Sequence, residues 1–340
     1  MLLIDACYIH SEGGKSLLFY LIRSLNKKKI PFVVLFDERS RNKLPENTIA
    51  TKSFYIKSSL LLRHSLYKMI LKKFPINKIL CFGNIPPTYR VKNVAVYTFL
   101  QNVLLIESQG SLVSFKKRFL FKLKALYLSI FKNNTDYWIV QTDEVRSLLT
   151  KLLNIHIDKV LIIPFFENLN NENLHLDKQP NTFFYPSTGQ PHKNHKNLLK
   201  AWESLFNDGY NFELYLTIPD SHIEICNEIS NLKNKGLKIH NLGLLNKTDL
   251  ALQYAKSEYL IFPSFFESFG MGIIEGIEFN CKVIASDLPY VHTLVIPSNT
   301  FNPNDFESIA KSVISSVYHE KSDTYLKINN ETDSLISLIS

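Results

Sequence analysis

The sequence predicts an α/β protein built from two doubly wound, Rossmann-like domains. Short, continuously apolar segments recur along the chain, and amphipathic helical segments alternate with them. A polar, Asn-rich interruption falls near the middle, after which the alternation starts afresh. Strands covered on both faces read as unbroken apolar runs, and strands alternating with helices form parallel sheets. At 340 residues the chain is long for one core and ample for two.

The first strand is LLIDACYI, from which Ser11-Glu12-Gly13-Gly14 turns the chain into the amphipathic helix KSLLFYLIRSLNKKK. PFVVLFD, KILCFGN, VAVYTFL and DYWIVQT are further strands, separated by helical stretches such as SLLLRHSLYKMILKKF. Val160 to Phe166 completes a first domain over residues 1–167. Residues 168–181 have no periodicity and are read as a linker. In the second domain, residues 182–320, TFFYPST, FELYLTIPD, LKIHNLG, EYLIFPS and CKVIASD are strands. KNLLKAWESLFNDG, SHIEICNEISNLKNKG, KTDLALQYAKS and FGMGIIEGIEFN are the helices between them. Residues 321–340 form a tail or a helix returning toward the first domain. Two such domains are expected to face a central cleft. Ligands of open α/β sheets bind outside the carboxyl ends of the strands, so functional residues belong in the loops after strands.

Composition narrows the class further. Hydrophobic residues make up 45% and charged residues 21%, the proportions of a globular chain. Cys7, Cys81, Cys226 and Cys281 are widely spaced without a CxxC pair, which predicts neither a disulfide framework nor a zinc site and fits a reducing cytoplasm. The N-terminus has no basic stretch and meets Asp5 at once, so no secretory signal is predicted. No apolar run approaches the roughly 20 residues that span a bilayer.

The chemistry concentrates in PSFFESFGMGIIEG. A strand ends at Pro263-Ser264, a loop carries Glu267, and a helix opens at about Ser268 to Gly270. Gly270 and Gly272 allow close backbone approach there, and the free N–H groups of a helix start suit a diphosphate. Glu275, two turns along, could accept both hydroxyls of a ribose, and Glu267 could reach a sugar. Taken singly, a glutamate ahead of a helix is only a favourable partner for the helix dipole. The pair, with the SFG loop, the preceding PS and the upstream HKN, favours function.

Glu267 and Glu275, with seven residues between them, resemble the E-x7-E signature of glycosyltransferase family four. YPSTGQPHKNHKNLLKAW is similar to that family's diphosphate-gripping strand–loop–helix, and the likeness runs from about Thr182 to Leu294. It implies a GT-B fold and a retaining transferase that uses a nucleotide-sugar donor. Carried over, Glu267 lies beside the donor sugar, Glu275 binds the ribose and Lys193 neutralises the diphosphate, where charge develops as the glycosidic bond breaks. Ser268, Phe269 and Gly270 form the donor loop. Asn194 reads either as part of the donor site or, with Asn197, as a cap of the following helix. Gly13 and Gly14 bring first-domain backbone near phosphates or acceptor, or make a tight turn. Gln101-Asn102 falls near the reaction centre, where the family commonly has His. Thr188 stands where the family has a second phosphate-binding Arg, with Lys15 or Lys196 as candidate substitutes.

No D-x-D occurs, and His192 and His195 have no accompanying acid or cysteine. A metal-independent reaction without cofactor is therefore expected. Two rivals fit the same fold: a nucleotide-sugar epimerase or hydrolase, which consumes donor without acceptor, and a non-catalytic scaffold subunit.

Charge is uneven. Residues 47–135 hold 15 Lys and Arg against the single acid Glu107, while the rest holds 24 basic and 30 acidic residues. In the stretch 115–132, Phe115, Phe119, Leu123, Leu126, Tyr127, Ile130 and Phe131 share one helical side. Lys117, Arg118, Lys122, Lys124 and Lys132 share the other, with Phe121 and Leu128 among them. Lys57, Arg63, Lys68, Lys72 and Lys73 add a second basic stretch, 57–73. Basic residues interleaved with exposed apolar ones mark interfacial membrane helices, although a core helix with a solvated Lys face gives a similar pattern. No nucleic-acid motif accompanies the charge. The expectation is a peripheral enzyme at the cytoplasmic face of the membrane. It would transfer a hexose to a lipid-linked acceptor in the assembly of lipopolysaccharide, capsule or another surface glycan.

Overall fold

The computed structural model describes residues 1–43, 50–102, 115–169, 174, 176–319 and 323–340. Glu107 and linker residues 170–173 and 175 lie outside these, as do the side chains of 12, 42, 43, 115–118, 120 and 121. The chain divides into two compact units, Met1–Glu167 with Asn329–Ser340, and Asn168–Ile328.

In the first unit the strands are β1 (Leu2–Ala6), β2 (Phe32–Asp37), β3 (Lys52–Ile56), β4 (Lys78–Cys81), β5 (Ala95–Phe99), β6 (Tyr137–Val140) and β7 (Val160–Ile162). Helices α1 (Glu12–Lys27), α2 (Leu60–Lys73), α3 (Phe115–Phe131) and α4 (Asp143–Leu153) lie between them. The sheet order is β3-β2-β1-β4-β5-β6-β7, and every pairing is parallel. The order reverses between β1 and β4, the switch point at which doubly wound sheets open a crevice.

The second unit repeats this plan. Its strands are β8 (Gln179–Tyr185), β9 (Glu213–Leu216), β10 (Ile239–Asn241), β11 (Ser257–Phe262), β12 (Lys282–Ser286) and β14 (Asn299–Phe301). The order is β10-β9-β8-β11-β12-β14, all parallel, with the switch point between β8 and β11. Its helices are α5 (His195–Asn207), α6 (Ile223–Asn234), α7 (Lys247–Lys256), α8 (Met271–Glu278), α9 (Pro289–Leu294) and α10 (Phe306–Tyr318). A small antiparallel pair joins β13 (Val295–Ile296) to β15 (Tyr325–Leu326). The last helix, α11 (Thr332–Ile339), packs Leu335, Ile336 and Ile339 into the first unit's core beside Leu2, Ile4 and Leu18. There the Lys78 ammonium donates to the Leu338 carbonyl at 2.8 Å.

Two local readings need correction. Gly13 and Gly14 do not form a turn ahead of α1 but lie in its first turn, because the helix already opens at Glu12. Arg63 is not part of a solvated basic face. It is 2% exposed, and its Nε donates to Asp5 Oδ2 at 2.6 Å. Its other nitrogens reach the carbonyls of Pro86 at 2.8 Å and Ile85 at 3.0 Å, while Tyr67 donates to the same Asp5 oxygen at 2.5 Å. Burial disfavours the Arg63 charge, but the Asp5 carboxylate together with Tyr67, Cys81 and Tyr127 outweighs it and holds the pKa well above its ordinary value. For α3, where the sequence left either side free to face out, the described side chains turn the apolar stripe outward. Phe119, Leu123, Leu126 and Ile130 are exposed, whereas Leu128, placed among the lysines by periodicity, is fully buried.

Candidate functional site

At the second unit's switch point two loops leave adjacent strand ends. After β8 the chain runs to a short 3-10 turn, Pro191–Lys193. It then passes through Asn194 in the left-handed region (φ 59°) into α5. After β11 the loop carries Glu267 to Gly270, whose φ of +83° suits glycine, and α8 begins. A Cβ on Gly270 would also stand 3.2 Å from the Leu294 side chain.

The loops are tied together. Lys193 Nζ donates to Glu267 Oε1 at 2.6 Å, with the two side chains 19% and 11% exposed. Phe265 N donates to the His192 carbonyl at 2.9 Å, and the His192 and Phe266 rings stack at 4.6 Å. Beneath them the buried Tyr185 hydroxyl donates its one proton to the Lys193 carbonyl at 3.0 Å. That leaves its oxygen to accept from Ser264 Oγ at 2.7 Å. The Ser264 carbonyl in turn accepts from Ser286 Oγ and Tyr290 OH, both at 2.9 Å. Asn194 stands at the cap position of α5, but its side chain makes no cap bond. Its amide donates instead to the carbonyls of Pro263 at 3.0 Å and Pro303 at 2.8 Å, and Asn197 also donates to Pro303. Nothing local in the sequence signals Tyr185, Ser264, Ser286 or Tyr290, because their partners lie up to 79 residues away.

Glu275 receives a 2.9 Å bond from Tyr254 OH. Burial pushes the Glu275 carboxyl up to about 7. The Tyr254 bond opposes that shift, and the neighbouring Glu278 charge adds to it. Burial likewise keeps the Tyr254 phenol protonated and able to donate. Gly272 is required less by a ligand than by packing, since a Cβ there would sit 3.0 Å from the Phe262 ring. Ser268 is half-buried and Phe269 buried in the same loop, while Thr188 is exposed.

His192 and His195 are held neutral by burial, with the Lys193 charge adding, at about 4 and about 3. The His195 ring packs against Tyr185 at 5.0 Å. Among the described residues no cluster of three or more His, Cys, Asp or Glu could hold a metal ion. Lys196 is exposed on α5, on the side where its charge reaches Glu228.

In the first unit the loops after β1, β4 and β5 converge. A Cβ on Gly14 would lie 3.5 Å from Gln101 Oε1. Gln101 Nε2 donates to the Phe82 carbonyl at 3.1 Å, and the backbone N–H groups of Gln101 and Asn102 both donate to Asn84 Oδ1, at 2.8 and 3.1 Å. Asn84, in the left-handed region at φ 69°, is the organiser that sequence reasoning missed. Its position just after KILCFG, beside Gly83, was the available signal. Gly13 is exposed, and Lys15 is buried on α1.

Residues 167–333 match the glycosyl transferases group 1 family model. The chain is 26% identical over 166 residues to the O-antigen chain mannosyltransferase RfbU of Salmonella typhimurium, a match that covers 48% of this chain and 46% of that one. The matched segment thus spans about half the length of that relative. Among solved structures, WaaG, a glycosyltransferase involved in lipopolysaccharide biosynthesis, is similar over the whole of both chains with a TM-score of 0.67 and 12% identity. HepE of Anabaena, solved in complex with UDP and glucose, is similar over 94% of this chain and 90% of its own, with a TM-score of 0.66 and 12% identity. The fold is GT-B.

Proposed function

We propose that the chain is a retaining glycosyltransferase that moves a hexose from a nucleotide-sugar donor to a lipid-linked acceptor, without a metal. The acceptor is a growing lipopolysaccharide, capsule or other surface glycan at the inner face of the membrane. The observation that carries this reading is the meeting of Lys193 and Glu267 at 2.6 Å over the ends of β8 and β11, with Glu275 about one turn along α8. A cation, a helix start and two carboxylates at a sheet's switch point suit a ligand that combines a diphosphate, a ribose and a sugar.

In this reading the donor's diphosphate takes Lys193 away from Glu267. The ammonium and the N–H groups at the start of α8 then stabilise the charge that grows on the leaving phosphate. Glu267, released, faces the sugar as it gains oxocarbenium character, and Glu275 accepts the ribose hydroxyls. Gln101, Asn102 and the Gly13-Gly14 backbone serve the acceptor or the phosphates from the first unit. The mannosyl and O-antigen terms in the RfbU name, and the UDP and glucose bound to HepE, support a nucleotide-hexose donor and a glycan acceptor.

The test is saturation-transfer NMR on the purified protein with UDP-, GDP-, dTDP- and CMP-sugars, repeated with Glu275→Ala. One nucleotide series should bind and be lost in the variant. Absence of binding by every series at millimolar concentration would leave a scaffold subunit as the better reading. Donor consumption without any acceptor would identify the epimerase or hydrolase.

A further inference from the structure

We propose that the second unit carries a further saccharide site, at the sheet edge opposite the Lys193–Glu267 loops, which holds neutral hexopyranose units of a glycan. The site itself does not depend on the donor reading; only its use, as a second hold on the glycan being extended, rests on that reading. Because β8 to β12 are all parallel, their amino ends share one edge. A cavity of about 270 Å³ opens there. It lies where β8 and β9 begin and just ahead of β10, and its lining includes Asn181, Tyr210, Asn211, Glu213, Lys238 and Tyr318. The 7 residues of β8 separate this edge from the other, roughly 20 Å at about 3.3 Å per residue.

The lining combines aromatic faces with a polar rim. Tyr210 stacks on the buried Phe212, with ring centres 5.7 Å apart and planes 14° apart, and Tyr318 meets Tyr210 at 5.9 Å and 52°. Tyr318 closes α10 and is 61% exposed. One exposed tyrosine needs no explanation, whereas two joined tyrosines in a polar cavity do. A pyranose has the matching chemistry: C–H groups on its face for an aromatic ring, and hydroxyls around its edge for hydrogen bonds. The rim is held in advance. Asn211 Nδ2 donates to the Gly236 carbonyl and its Oδ1 accepts from Lys238 N, both at 3.2 Å. An amide fixed in this way has a second N–H and a second lone pair for a ligand. Asn181 stands in the left-handed region, φ 60°, where the β8–β11 register shifts and the strand's alternation is broken.

Charge selects a neutral occupant. Lys238 is the one cation among the described lining residues, and Glu213 Oε1 lies 3.9 Å from its Nζ. The helices that finish beside the cavity, α5 at Asn207 and α10 at Tyr318, present their C-termini, the negative ends of their dipoles. A phosphate, a nucleotide or an acidic sugar therefore meets no net positive charge. The hydroxyls of a neutral hexose accept from Lys238 and donate to Glu213 equally well.

The experiment is a saturation-transfer NMR titration of the full chain with the methyl α-glycosides of mannose, glucose and galactose, and with glucuronic acid as the anionic control. At least one neutral glycoside should bind, with transfer strongest to its ring C–H protons, and glucuronic acid should not. Tyr318→Ala should weaken that binding roughly fivefold, the value of one aromatic contact, whereas Tyr318→Phe keeps the ring face and should bind like the parent. Thermal midpoints check that both variants fold. Lys238→Glu, at an exposed position off the aromatic faces, is a second route and should also weaken binding. Excess UDP should leave the glycoside bound, because Lys193 and Glu267 lie at the other edge of the sheet. No binding by any neutral glycoside, Tyr318→Ala binding equal to the parent's, or displacement by UDP would overturn the proposal. Failure of UDP itself to bind would count against the donor site alone, since the Tyr318 comparison does not involve it.

Discussion

Lys193 is paired with Glu267, and this makes an unusual prediction: removing a group from the candidate donor site should tighten nucleotide binding. The 2.6 Å pair is largely buried, and any diphosphate that recruits Lys193 must first separate it from Glu267. A partly buried ion pair of this kind contributes about 1 kcal/mol, which corresponds to about fivefold in affinity. Glu267→Gln should therefore strengthen binding of the free nucleoside diphosphate about fivefold. Lys193→Ala removes a charge-assisted bond to phosphate, worth about 1.5–3 kcal/mol, and should weaken it roughly 10- to 150-fold. In the Lys193→Ala background the Glu267 substitution should have little further effect, because the competition no longer exists. Sugar transfer by Glu267→Gln should nonetheless fall by about two orders of magnitude, since the carboxylate is then missing at the reacting carbon. Isothermal titration with UDP and GDP measures the first three effects, and a radiolabelled-sugar transfer assay measures the fourth. If Glu267→Gln weakens diphosphate binding as much as Lys193→Ala does, the pair is not a competitor of the ligand and the exchange described above is wrong.

Three further outcomes are expected. Between the ordinary carboxyl value of 4.5 and about 7, folded Glu275 keeps a proton that the unfolded chain has released. Stability should therefore fall as pH rises through that window, by about 3 kcal/mol in full, and Glu275→Gln should flatten a melting-temperature profile from pH 5 to 8; an unchanged slope would assign the effect elsewhere. Tyr185→Phe removes the bond that holds the Lys193 loop to Ser264 and should cost about 1 kcal/mol of stability. It should raise KM for donor more than it lowers kcat, and equal loss in both would argue against a positioning role. Arg63→Met leaves Asp5 buried without its cation and should destabilise the first unit by about 3–5 kcal/mol by chemical denaturation; an unchanged midpoint would refute the role of the pair.

Much of the fold was legible because its physics is local. Unbroken runs such as FVVLFD and KVIAS are strands whose residues are almost all buried, and their period needs no knowledge of partners. The edge strand β3 was not singled out, since KSFYI opens on an exposed lysine and is only half-buried. The Glu267–Glu275 segment was readable for the same local reason: a strand end, a glycine and a helix start lie within one stretch of chain. The Tyr185–Ser264–Ser286–Tyr290 network was not, because it joins the ends of three strands and the helix α9. Periodicity also assigned α3 two sides without saying which one faces out, a choice made by the sheet and by α2 rather than by the helix.

Arg63 shows where a stronger reading was available. Counted among the lysines of 57–73 it looked solvated, since charged residues on a helix usually are. Yet LLIDACYI contains Asp5 inside a run that is otherwise apolar and belongs to a central strand, and a carboxylate there is untenable without a buried donor. That demand requires some cation elsewhere in the first unit to be absent from its surface. An arginine, with five donors and weak hydration, meets it better than a lysine does. Arg63 is the arginine that answers it, and with the Ile85 and Pro86 carbonyls it also fixes the loop beside Asn84. The same Asn84 orders Gln101 and Asn102, so a buried ion pair in the core of the first unit and the candidate acceptor-side residues are held by one short stretch of chain after β4.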